Sequence, residues 1–262
     1  MTPPTAEEAL RREIADACAL VGARCWVANH DGNLSARLPD GGFLATPTAV
    51  AKADVRPEMV LRLGADGKAV MAGGRGLFSE WALHAAAYAA RPEIGVVLHA
   101  HPPQSTAFAC AGVALPHPFL AEAVVSLGPE IPLVPFVAPG APEFGEGVAA
   151  ALGRADVVLL AQHGVLVVGA TVEQALLRME LVEHLARIAA AALPLGGVRP
   201  LEPALVSRLA ARGRPSSARP GAAAPEATSP VEASASPAAA GPSPVGRDEV
   251  SRLVADALRR LG

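Results

Sequence analysis

Lysine is nearly missing from this chain: only Lys52 and Lys68 occur. Each stands in a polar, loop-like stretch, and neither is expected to be buried. Imine chemistry needs a lysine whose pKa burial has lowered, so that mechanism is disfavoured. Aromatic residues are scarce as well, at 3% of 262 residues. With a net charge of −3 and no basic stripe, the chain lacks both base-stacking platforms and a grip on phosphate backbones. No nucleic-acid partner is expected. Cys18, Cys25 and Cys110 are odd in number and form no C-x-x-C pair, which argues against a disulfide framework and for a reducing compartment. No apolar run reaches membrane-spanning length, and the N-terminus has no basic region followed by an apolar one. Neither membrane nor secretion is expected; a cytoplasmic location is.

What is present divides the chain into four parts. Residues 1–193 read as a folded domain. Thr5 precedes a helical pattern of Leu10, Ile14, Cys18 and Val21 that stops near Gly22. Residues 42–46 and 59–63 are strand candidates, the latter followed by an Asp66-Gly67 turn. A helix is expected from Ser79, as its N-cap, to about Ala90, with Pro92 just beyond. The apolar runs 156–160 and 165–168 form a hairpin through Gln162-His163-Gly164, and Thr171 caps a long helix to about Leu193. Interleaved strands and helices imply an α/β sandwich around a mixed or antiparallel sheet.

Residues 194–213 extend this domain, with one more short helix within 201–212. Residues 214–246 are dominated by Ala, Pro, Ser and Gly, a composition that cannot bury enough apolar area to order itself. Residues 247–262 then place Val250, Leu253, Val254, Ala257, Leu258 and Leu261 on one helical stripe, with acids early and arginines late. So short a helix is marginal alone and needs a surface to dock on.

The chemistry-bearing residues cluster in five motifs. His99-Ala100-His101 ends the apolar run Ile94 to Leu98, and side chains two apart on a strand share a face. Two neutral imidazoles on one point suit a divalent metal, zinc above all, although a strand end with two hydrogen-bonded histidines gives the same pattern. Glu80 and His163 are candidate partners. Glu80 in the first turn of its helix serves either as a favourable dipole charge or as a metal ligand or general base. Asp31-Gly32-Asn33-Leu34-Ser35 and Thr46-Pro47-Thr48 are turn-like stretches with anion-binding potential. His30, His84, His117 and His184 have no comparable setting. His84 and His184 lie within helices and read as packing or surface residues.

Taken in order, D-G-N-L-S, T-P-T, S-E-W, H-x-H-P and Q-H-G resemble the class II aldolase/adducin family over roughly residues 5–193, nearest to its zinc-dependent L-fuculose-1-phosphate aldolases. The resemblance implies a three-layer α/β/α sandwich with a mainly antiparallel central sheet, in a homotetramer with active sites between subunits. It implies Zn2+, or another divalent transition metal, on His99, His101 and His163. Glu80 is implied as the acid/base and fourth ligand, and Asn33, Thr48 and Ser79 as the phosphate pocket. The implied reaction is cleavage of a deoxyketose 1-phosphate to dihydroxyacetone phosphate and an aldehyde such as lactaldehyde. Three departures stand out. Phe78 replaces a phosphate-facing serine, Ala49 replaces a glycine, and Phe119 falls where the aldolases carry a proton-donating tyrosine. His117, Glu122 or water would serve instead. Decarboxylation, dehydration or epimerisation on the same zinc site is the alternative reaction, and an adducin-like scaffold is the non-enzyme alternative. The C-terminal helix resembles an encapsulation peptide of bacterial microcompartment enzymes, which implies docking on shell or core proteins through residues 247–262.

Overall fold

The structure, a computed structural model, describes residues 4–71, 75–137 and 143–213. The Ala/Pro/Ser-rich stretch 214–246 and the amphipathic segment 247–262 lie outside the described residues. Helix α1 (Ala6–Ala23) opens on a capping box in which Glu8 N–H donates to Thr5 Oγ1 at 3.2 Å and Thr5 N–H to Glu8 Oε2 at 2.7 Å. Strands β1 (Asn33–Arg37), β2 (Phe43–Ala45), β3 (Leu61–Leu63) and β4 (Ala69–Met71) follow. Helix α2 (Trp81–Ala90) leads into β5 (Val96–Ala100), then α3 (Pro103–Cys110), α4 (Ala121–Leu127), β6 (Leu133–Val134) and α5 (Glu143–Leu152). The hairpin β7 (Val157–Leu160) and β8 (Gly164–Gly169) precedes α6 (Val172–Ala192), capped by Thr171, and α7 (Pro203–Arg212).

All eight strands form one sheet in the order β4-β3-β2-β1-β5-β8-β7-β6. The β6–β7 pairing is parallel and the others are antiparallel. The sheet is therefore mixed, where the resemblance implied a mainly antiparallel one. The cause is that β6 returns to the edge through α5, a crossover that delivers β7 in the same direction.

Alternation along the strands separates two apolar layers. Leu34, Ala36, Leu98, Val165 and Val167 face a core shared with Ile14, Val21, Ala109, Leu127, Met179 and Leu185, on α1, α3, α4 and α6. Ala45, Leu61, Val97, Leu166 and Val168 face a second core with Leu83, Ala87, Val148 and Leu152, on α2 and α5. The result is a three-layer α/β/α sandwich. Central β5 is buried at all five positions, so His99 is held in a packed lattice. Asp156, at the start of β7, ties Arg91 (3.1 Å) to Arg178 (2.7 Å) and so joins the end of α2 to α6. Among the described residues, no helix is long and apolar enough to cross a membrane.

Two expectations fail here. Helix α2 begins at Trp81, so Ser79 is not its N-cap; Glu80 occupies that position and makes no side-chain cap. Its carboxylate is drawn instead to histidines and an amide across the sheet. Lys52, expected at the surface, is only 4% exposed. Its short 3-10 turn packs on α1, which local polarity does not reveal, and its ammonium donates to His30 O (3.0 Å) and Val50 O (3.3 Å). Burial lowers its pKa, so exposure no longer argues against imine chemistry at Lys52. What argues against it now is that the ammonium is committed to two backbone carbonyls. Lys68 is exposed, as expected.

Candidate metal and acid–base site

Four side chains converge at one end of the sheet. His99 lies on β5 and His101 just past its end; His163 sits in the β7–β8 turn; Glu80 comes from the N-terminus of α2. His99 pairs in register with Asn33 of β1 and with Leu166 of β8, which fixes its ring between two strands. The ligand-capable nitrogens of His99, His101 and His163 lie within 4.8 Å of one another. Glu80 Oε1 is 2.7 Å from His163 Nε2, and Oε2 is 3.6 Å from His99 Nε2. His99 is fully buried, whereas the side chains of Glu80, His101 and His163 are 20–25% exposed, so the cluster opens on one side.

The donor chemistry fits a divalent metal. His99 Nδ1 must carry a proton, because its partner at 2.9 Å is the Val165 carbonyl oxygen. Its Nε2 is therefore a bare lone pair, and it lies 3.0 Å from His101 Nε2. His101 Nδ1 faces Asp31 Oδ2 at 3.7 Å, which favours the proton on that side and a second bare nitrogen toward His99. Two lone pairs so placed repel unless a cation lies between them. Nitrogens on a tetrahedral zinc stand about 3.3 Å apart, within the range seen here. Three neutral imidazoles would leave such an ion its full charge, and the carboxylate is at hand as a fourth ligand or a base.

Burial and charge set the protonation states. Burial pushes His99 down to about 3, against the opposing pull of Glu80, and likewise lowers His101. Burial alone would raise the Glu80 pKa. The hydrogen bond from His163, the neighbouring His99 and His163 rings and the Asn33 amide outweigh it and hold the carboxyl well below its usual range. Glu80 is thus ionised.

The other expected residues divide. Asn33 joins the cluster: its Nδ2 donates to Glu80 Oε2 at 2.7 Å. Thr48 and Ser79 are exposed on neighbouring loops, with Thr48 N–H bonded to Gly76 O at 2.9 Å. Arg75 binds Ala49 O on the same loop. His117 is turned to the end of α4, where its Nε2 donates to Gly128 O at 2.8 Å, and Glu122 is exposed on α4. Neither shows a contact with the histidines. Phe78 packs inward, 4.8 Å from the His84 ring, and Phe119 packs on the core under α1, α3, α4 and α6.

The sequence reading missed His84. Placed in a helix, it looked like packing; it is instead fully buried with both ring nitrogens hydrogen-bonded, to Asn33 Oδ1 (2.6 Å) and to Ser35 Oγ (2.7 Å). The available signal was its spacing from Glu80, which places both one turn apart over the Asn33-x-Ser35 face of β1.

The chain matches the model of the Class II Aldolase and Adducin N-terminal domain over residues 12–190. It belongs to the class II aldolase/adducin family. Within that family it is 34% identical over 169 residues to a 5-methylthioribulose-1-phosphate/5-deoxyribulose-1-phosphate aldolase of Escherichia coli O45:K1, covering 64% of this chain and 76% of the relative. It is 31% identical over 186 residues to the 3-oxo-tetronate 4-phosphate decarboxylase of Escherichia coli K12, covering 70% and 86%. It is 32% identical over 181 residues to the L-fuculose phosphate aldolase of the same strain, covering 68% and 81%. The crystal structure of YgbL from Escherichia coli superposes with a TM-score of 0.72 at 29% identity, over 78% of this chain and 99% of that one.

Two predictions follow from this class II aldolase/adducin geometry. A Cβ on Gly164 would lie 2.4 Å from His101 Cδ2 and 2.7 Å from Ala100 O. Gly164→Ala should push His101 aside and weaken zinc binding at least about tenfold in competition with a chelator. The second concerns acid. His84 and His99 are neutral when folded, with values near 3, but take up protons below about 6.5 when unfolded. The unfolded state therefore binds more protons between these limits, and stability falls as pH drops. The urea midpoint of metal-free protein should be lower at pH 5 than at pH 7; equal midpoints contradict the assignment.

Proposed function

We propose that the protein is a zinc-dependent aldolase that cleaves a deoxyketose 1-phosphate, such as L-fuculose 1-phosphate or 5-deoxyribulose 1-phosphate, to dihydroxyacetone phosphate and a short aldehyde. The observation that carries the reading is an ionised carboxylate, Glu80, poised at the edge of a three-histidine cluster. His99, His101 and His163 would hold the metal, which supplies a Lewis acid for the carbonyl and neighbouring hydroxyl oxygens. In the condensation direction Glu80 removes the proton from the hydroxyl-bearing carbon of dihydroxyacetone phosphate, leaving the electron pair in the enediolate. That carbon then attacks the aldehyde. In cleavage the C4 hydroxyl passes its proton through water to Glu80, the C3–C4 bond breaks, the aldehyde leaves, and Glu80 delivers that proton to C3. Thr48, Ser79 and Asn33 are assigned to the phosphate, with Arg75 adding positive charge on that side. The relatives named as ketose-phosphate aldolases support this reading.

A second reading, decarboxylation of a 3-oxo acid phosphate, is favoured by the relative that bears that name. The same three histidines would hold the metal, which would supply a Lewis acid for the 3-oxo group. The same proposal makes the protein a cytoplasmic homotetramer, docked on microcompartment shell or core proteins through residues 247–262. The support for that last step is the amphipathic pattern following an Ala/Pro/Ser-rich stretch.

A panel of ketose 1-phosphates and 3-oxo-tetronate 4-phosphate separates the two reactions. An aldolase releases an aldehyde and dihydroxyacetone phosphate; release of carbon dioxide alone moves the assignment to decarboxylase. Glu80→Gln should lower kcat by about 10²- to 10⁴-fold with zinc retained, and full turnover by that variant contradicts either role for Glu80.

A further inference from the structure

From Glu80 a single line of hydrogen bonds runs away from the histidine cluster into the core. Asn33 Nδ2 meets Glu80 Oε2 at 2.7 Å, Asn33 Oδ1 meets His84 Nε2 at 2.6 Å, His84 Nδ1 meets Ser35 Oγ at 2.7 Å, and Ser35 Oγ meets the Tyr88 hydroxyl at 2.9 Å. Ser35 and His84 are fully buried, and Asn33 and Tyr88 are each 4% exposed.

The placement of the Asn33 amide fixes the protons along this line: its Nδ2 donates to Glu80 Oε2, so its carbonyl oxygen faces His84. That oxygen only accepts, so His84 carries its proton on Nε2. Nδ1 is then bare and accepts from Ser35. The serine has one proton and has donated it, so Tyr88 donates to Ser35. Each link donates toward Glu80, and reversing any one of them places two acceptors face to face.

We propose that His84, held in its Nε2–H tautomer by Ser35 and Tyr88, is the positioning residue for the acid/base Glu80. It acts through Asn33, whose amide it holds rigid from behind. The amide engages Oε2 and leaves Oε1, the oxygen on the His163 side, to exchange protons. The line ends at the buried phenol of Tyr88 on α2, so its role is positioning. Two rings flank His84: Phe78 with its centroid 4.8 Å away, and Trp81 stacked at 6.2 Å with planes 26° apart. This gives Phe78 a role that does not depend on phosphate.

The inference rests on Glu80 being the base of the proposed reaction, so it has two tests, one independent of turnover. Neutron diffraction from the deuterium-exchanged, zinc-loaded protein should show deuterium on His84 Nε2 and none on Nδ1, with the Ser35 and Tyr88 deuterons pointing along the line. Deuterium on Nδ1 overturns the proposal whatever the enzyme does. In kinetics, Ser35→Ala removes the donor that holds the tautomer. On whichever substrate of the panel the unmodified enzyme turns over, its kcat should fall about tenfold, with KM within about twofold and zinc content unchanged. Tyr88→Phe should show a smaller loss of the same kind. Full kcat in Ser35→Ala overturns the proposal, as does a loss confined to KM. If Ser35→Ala does not fold, the neutron map decides. If the unmodified enzyme acts on no member of the panel, the functional reading fails, while the map still tests the line.

Discussion

The structure turns on the crowding of imidazole lone pairs beside an ionised carboxylate in a site that water reaches from one side only. His99 is pinned from behind by the Val165 carbonyl, and its free nitrogen is thereby aimed at that of His101. Two such lone pairs repel one another, so the arrangement suits a metal cradle. The scaffold serves this point. A fully buried central strand holds His99, a glycine at 164 lets the β7–β8 hairpin approach His101, and the start of α2 brings in Glu80.

Much of this was legible in the sequence, for identifiable reasons. Two-residue periodicity put His99 and His101 on one face, and the apolar runs on either side of His163 gave the hairpin that delivers it. Thr5 ahead of the first helix, the Asp66-Gly67 turn and the Thr171 cap are local signals, and local chemistry realised them. What failed depended on distant partners. Lys52 looks exposed from its neighbours and is buried by α1. Ser79 looks like an N-cap until Glu80 is pulled out of the first helical turn by histidines from two other strands. His84 looks like packing until the register of β1 places Asn33 and Ser35 on either side of its ring. The parallel β6 follows from a crossover whose short strands carry little pattern of their own.

The site explains why membership of the class II aldolase/adducin family leaves the reaction open. A Lewis acid next to a carboxylate base stabilises an enediolate whether carbon–carbon cleavage or loss of carbon dioxide produced it. The residues that tell these reactions apart lie outside that core. Phe78 and Phe119, which replace polar groups of the fuculose-type pattern, both turn into apolar cores in this chain. On the proposed reading, selectivity falls to the exposed loops bearing Thr48, Arg75 and Ser79.

The central claim is that His99, His101 and His163 bind one metal ion. The most direct measurement is anomalous scattering at the zinc edge from crystals of zinc-loaded protein. The account predicts a single strong peak at about 2.0–2.1 Å from a nitrogen of each of the three histidines. A crystal of fully loaded protein with no peak there, or with three imidazoles hydrogen-bonded to one another and zinc elsewhere, would contradict it.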